Sequence, residues 1–172
     1  GMRFSGVMLI AALLLSYSST FASDDFIAPE IFLQSVFPQE EPETATVWLT
    51  GEKQEIATDI LGHKPDSLRL RYWYAGDKKA WIVDEIGKTE PITIGVVIEG
   101  NAIADIQVLA FRESRGWEIK HDFFTRQFQG IGLNGRRQLD GVIDGISGAT
   151  LSVRAMNNVS RLVLYLSQSL DS

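Results

Sequence analysis

The run Asp144-Gly145-Ile146-Ser147-Gly148-Ala149-Thr150-Leu151-Ser152 joins two unlike textures, a small hydroxyl-rich turn and a long periodic segment. Beyond it Val153, Met156, Val159, Val163, Leu166 and Leu170 recur at spacings of three and four. That rhythm predicts an amphipathic helix from about Leu151 to Leu170 with one apolar face to bury. The first turn of such a helix leaves backbone N–H groups without intrahelical partners, and the peptide dipoles place partial positive charge there. A phosphate can be held at that point without Lys or Arg. Gly145 and Gly148 let the backbone come close to a ligand, and Thr150 offers a hydroxyl that can contact a phosphate or be esterified to it. A plainer use of the same residues is capping, with Ser147 or Ser152 accepting from the free N–H groups.

What the helix covers is written upstream. Ile92 to Glu99 and Ala102 to Phe111 are rich in Val and Ile and flank Gly100-Asn101, a two-residue hairpin signal. Leu68 to Tyr74 and Ala80 to Glu85 flank Gly76-Asp77 in the same way. Four strands with an apolar face form an antiparallel sheet that needs a covering layer. The predicted fold is α+β: a single domain, mainly an antiparallel sheet covered by helices, with a long C-terminal helix following the phosphate-binding turn. Earlier, Pro29 to Phe37 reads as a short helix that Pro38 stops, and Glu52 to Leu61 reads as a helix closed by Gly62. Thr44 to Thr50 has strand composition, and Gln39 to Glu43 is an acidic, proline-bearing linker.

The segment Asp144 to Thr150 resembles the flavinylation motif of the FMN-binding domain family, an Asp, two variable residues, Ser or Thr, then Gly-Ala-Thr. That family includes the C subunit of the sodium-translocating NADH:quinone reductase and the G subunit of the Rnf complex. The stretch Ile92 to Ile119, the phrase Phe124-Thr125-Arg126-Gln127-Phe128-Gln129-Gly130 and the closing helix are similar to the domain in the same order, over roughly Ile92 to Leu170. The resemblance implies FMN carried covalently on Thr150 through a phosphoester. Ser147, Gly148 and Ala149 would then shape the phosphate turn, with Leu151 and Ser152 beginning the helix beneath it. Asp144 and Gly145 belong to the motif that a flavin transferase uses. Asp144 is assigned to modification more than to holding FMN, because a carboxylate beside a phosphate is repelled by it.

Glu113-Ser114-Arg115-Gly116 resembles the family's Glu-Thr-Pro-Gly turn that approaches the flavin, with Ser in place of Thr and Arg115 in place of Pro. Glu113 is on that ground a cofactor-contact candidate, although a solvated turn would look the same. Phe128 and Gly130 match the Gln-Phe-x-Gly phrase, and Phe128 reads as core. The implied partners are a flavin transferase for maturation and redox partner proteins, membrane-bound ones among them. The implied role is an electron carrier more than a stand-alone enzyme, with no catalytic residue and no metal ligand of its own.

The ends and the composition bear on where such a protein works. Met2-Arg3, the apolar run Val7 to Leu15 and the small residues Thr20-Phe21-Ala22 follow signal-peptide grammar, which predicts export to the periplasm and a mature start near Ser23. The run is about half of the ~20 residues a spanning helix needs, which favours a cleaved signal over the alternative of a retained N-terminal anchor. Gly1, ahead of Met2, reads as an added residue. The division expected is 1–22 for that residue and the signal peptide, 23–66 for an N-terminal helical or irregular segment packed on the domain, and 67–172 for the FMN-binding core. The chain has no cysteine, so burial must stabilise it without disulfides. A formal net charge of −6 argues against a nucleic-acid partner, which needs a basic surface.

Other candidate sites are thinner. Tyr72, Trp73, Tyr74 and Trp81 suit cross-strand packing better than flavin stacking. His63 and His121 lack metal-ligand spacing and default to surface or capping roles. Gly130-x-Gly132-x-x-Gly135 has dinucleotide-fingerprint spacing, but no clear strand precedes it, so 130–140 reads as a flexible loop near the cofactor site. Two other functions stay open: a non-redox interaction or regulatory module with Glu40, Glu41 and Glu43 as a partner-facing arm, and a flavin-dependent reductase with its own small-molecule substrate.

Overall fold

In the computed structural model, which describes Gly1 and residues 26–171, five antiparallel strands lie side by side in chain order. They are β1 (Glu43–Trp48), β2 (Arg69–Ala75), β3 (Lys78–Ile86), β4 (Pro91–Glu99) and β5 (Ala102–Ala110). The segment read as a signal peptide lies outside the described residues. Among the described residues no helix is long and apolar enough to cross a membrane. The two tight hairpins close at Ala75↔Lys78 and Glu99↔Ala102. Gly76 and Gly100 stand at φ +60° and +62° there, a left-handed backbone that glycine supplies without a Cβ penalty.

Alternation along the strands splits the apolar residues between two cores. On β4, Ile92, Ile94, Val96 and Ile98 face α4 (Thr150–Leu170), while Gly95 and Val97 face α1 (Pro29–Val36) on the other side. Strict alternation fails on β5, where register shifts opposite Thr93/Ile94 and Val97/Ile98 add extra residues. These bulges let Ile103, Ile106 and Val108 reach the α4 core while Leu109 joins the α1 core. Gly95 is the point of closest approach on the α1 side. A Cβ there would lie 2.7 Å from Phe32 Cζ, so the missing side chain is what lets the phenyl ring lie against the strand.

The long helix buries the face predicted for it except at its last turn, where Leu170 is exposed. Val153, Met156, Val159, Val163 and Leu166 are all enclosed, and Trp81 Nε1 donates to Ser167 Oγ at 2.9 Å inside the core. α2 (Glu52–Leu61) packs beside α4 and ends at Gly62, φ +81°, whose N–H returns to Thr58 O at 2.8 Å. Val47, Leu49, Ala57 and Ile60 sit in the same core as the rest, and β1 extends the sheet as its fifth strand. The helix opens at Thr150, one residue earlier than the apolar periodicity suggests, because an exposed Thr carries no hydrophobic signal at a first turn.

Candidate functional site

The turn that opens α4 is built by backbone. Ala149 N–H donates to Ile146 O at 3.0 Å and Gly148 takes φ +83°, folding the chain sharply before Ala149 O accepts the first helical bond from Val153 at 2.9 Å. No side chain caps the helix, so neither Ser147 nor Ser152 takes the capping role. The N–H groups of Thr150, Leu151 and Ser152 find no backbone acceptor among the described residues, as expected for a first turn. Ser147 and Thr150 are exposed, whereas Ala149 and Ser152 turn inward. The predicted residues thus divide: Thr150 and Ser147 offer hydroxyls outward, while Ala149 and Ser152 can offer a ligand only backbone.

What Ala149 and Ser152 turn toward is the Glu113–Gly116 turn. A Cβ on Gly116, which sits at φ +90°, would lie 2.9 Å from Ser152 Oγ and 3.6 Å from the Ala149 Cβ. Two segments far apart in sequence therefore meet at the start of α4. Glu113 itself is committed elsewhere. Its Oε1 accepts N–H bonds from Lys88 at 2.9 Å, Thr89 at 2.6 Å and Glu90 at 2.7 Å, which pins the β3–β4 turn. The Glu90 and Thr89 bonds lead in holding its pKa below the ordinary carboxylate value. A glutamate that clasps a neighbouring turn cannot be told from one aimed at a ligand by sequence alone.

Asp144 is exposed, and its backbone is gripped by Gln127. Asp144 N–H donates to Gln127 Oε1 at 2.7 Å, and Gln127 Nε2 donates to Asp144 O at 3.2 Å. Gln127 lies between α3 (Asp122–Thr125) and Phe128, which is fully buried and meets Phe124 edge-on at 5.6 Å. The loop expected at 130–140 is a small hairpin tied to α4. Leu133 bridges Leu139, Asn134 Oδ1 accepts from Arg136 and Gln138, and Arg161 Nε donates to Arg137 O at 2.7 Å. The Asn134 side chain closes the turn at its tip.

Two grooves of about 440 Å³ each flank the first turns of α4. Thr150, Asn157, Gln138 and Leu139 line one, Leu151, Gly87, His63 and Glu85 line the other, and Arg154 borders both. Arg154 stands one helical turn beyond Thr150 on the same face and forms no ion pair among the described residues. The second groove contains a pair that the sequence did not reveal. His63 Nε2 lies 2.8 Å from Oε1 of the buried Glu85, and Nδ1 lies 2.7 Å from Lys64 O. The Lys64 carbonyl first, and then Glu85, raise the imidazole pKa. Only the path of the chain after α2 brings His63 to β3. Tyr72 stacks on its cross-strand neighbour Trp81 at 4.7 Å, which assigns those two aromatics to packing.

An uncapped helix start, a left-handed glycine, an outward hydroxyl and a nearby unpaired guanidinium suit the phosphate of a nucleotide-like cofactor. Residues 87–164 match the family model described as an FMN-binding domain. No curated protein matches the chain. The matched span runs from the Gly87 turn into α4, contains Glu113, Gln127, Asp144 and Thr150, and supports FMN binding.

Proposed function

We propose, from the premise that residues 87–164 form a domain of the FMN-binding family, that this protein is an exported electron-transfer flavoprotein carrying FMN on Thr150 through a phosphoester. The observation that carries the reading is the exposed Thr150 hydroxyl at the first position of an uncapped α4, next to a groove and to Arg154. The free N–H groups of the first turn hold a phosphate, and the Arg154 guanidinium offsets its charge. Gly148 keeps side-chain bulk away from the bend, and Ser147 adds a hydroxyl donor. Attachment forms a bond between Thr150 Oγ and phosphorus. With a donor that presents the flavin phosphate as an anhydride, the P–O bond to the leaving nucleotide breaks and the hydroxyl proton passes to that leaving group. When bound, FMN supplies reversible electron uptake and release at its ring, and the protein sets access and surroundings.

The signal-peptide grammar at residues 2–22 supports a periplasmic location, where a covalent bond keeps the cofactor from being lost by dilution. Maturation then calls for an exported flavin transferase, and function for redox partner proteins, membrane-bound ones among them. The test is coexpression with such a transferase and intact-mass measurement. The expected result is a gain of one FMN moiety that Thr150→Ala abolishes and that stays with the chain after denaturation. An unchanged mass with transferase and flavin present refutes covalent attachment.

A further inference from the structure

The backbone that leads into the phosphate turn has few ties. Across residues 141–145, among the described residues, the backbone hydrogen bonds come from one side chain, Gln127. Its amide meets Asp144 as a second strand would, accepting from the N–H at 2.7 Å and donating to the carbonyl at 3.2 Å. The other Nε2 hydrogen goes to Phe124 O at 3.3 Å, so all the donors of the amide are used. Phe124, Thr125 and Phe128, close to Gln127 in the chain, are buried and anchor the base of this clamp in the core. Asp144 is held by its backbone alone. Its carboxylate is exposed and makes no hydrogen bond or ion pair among the described residues.

We propose that Gln127 is the positioning residue that presents Asp144, and through it Thr150, to the modifying enzyme, an inference that rests on the covalent reading. By pinning the Asp144 backbone, the amide aims the carboxylate at solvent, where an external protein reads it. It also fixes the start of the short path that ends at the acceptor hydroxyl. Gly145 and Gly148 lie on that path, so without the clamp the segment would sample many arrangements before the Thr150 Oγ–P bond can form.

Flavinylation rates of the full chain with transferase test this. Gln127→Leu removes both bonds and is expected to lower kcat/KM for the protein substrate about tenfold, mainly through KM, with little change in melting temperature. Gln127→Glu keeps an acceptor for the Asp144 N–H and should fall between Leu and wild type. In an Asp144→Asn background, Gln127→Leu should cost less than in the wild type, because the carboxylate that the clamp aims is gone while the path to Thr150 still depends on it. Equal rates for Gln127→Leu and wild type, or fully additive losses, overturn the proposal. Amide hydrogen exchange gives an independent reading: Gln127→Leu should speed exchange at the Asp144 N–H, and unchanged exchange also overturns the proposal. If the wild type takes no flavin, the covalent reading falls, and the exchange result alone decides whether Gln127 holds Asp144.

Discussion

Gly116 joins the Glu113–Gly116 turn to the start of α4, and Gly116→Ala measures that junction. Two costs add. The residue stands at φ +90°, ψ 11°, a left-handed conformation that costs an L-residue about 1 kcal/mol or more. The new Cβ would also lie 2.9 Å from Ser152 Oγ, inside contact distance of a buried side chain, for about another 1 kcal/mol of repacking. The sum, about 2 kcal/mol, corresponds to a fall of roughly 4–8 °C in melting temperature for a domain of this size. Ser152→Ala removes the obstructing hydroxyl and leaves the backbone strain. The double variant should therefore recover about half of the loss. Urea unfolding of the four proteins, with m-values compared, reads each difference from the midpoint. A wild-type midpoint for Gly116→Ala, or no recovery on adding Ser152→Ala, would refute this account of how the two segments meet.

Gly95→Ala should destabilise by about 1–3 kcal/mol through the Phe32 ring, whose Cζ would sit 2.7 Å from the added methyl; urea midpoints should fall, and adding Phe32→Leu should recover part of the loss. The His63–Glu85 pair should make stability depend on pH. Because the folded pKa is raised above 6.5, the contribution is complete below that value and fades as pH rises through the folded pKa, with Asp66 adding to the upward pull. The urea-midpoint gap between wild type and His63→Gln should therefore narrow as pH rises above 6.5, and a gap that widens with rising pH would contradict the assignment.

Elements with a local signature were readable in advance. α2 runs from Glu52 to Leu61 and stops at Gly62 as read, because helix formers and a left-handed glycine act within a few residues. Both tight hairpins turn where Gly76-Asp77 and Gly100-Asn101 predict, and the strands differ from expectation by a residue or two at their ends. β5 was readable as a strand but not as a twice-bulged one. Its extra residues follow from having to supply two cores, which no alternation rule contains. The pairing within 130–140 was not readable for a related reason, since it rests on the Asn134 side chain and on Arg161 of a distant helix.

The chain's own residue order was enough to identify the phosphate turn, the helix after it, the antiparallel sheet and the likeness to an FMN-binding domain, because each is carried by spacing and by backbone demands on glycine. Which side chains are free was a matter for the packed molecule. Glu113 is drawn into the β3–β4 turn, Ser152 faces Gly116, and His63 finds a buried carboxylate. Gln127, one polar residue among many in the sequence, holds Asp144 by both backbone groups. A hydrogen-bonding side chain has several possible partners in an open chain. Only packing, by placing acceptors and donors within about 3 Å of one another, selects one.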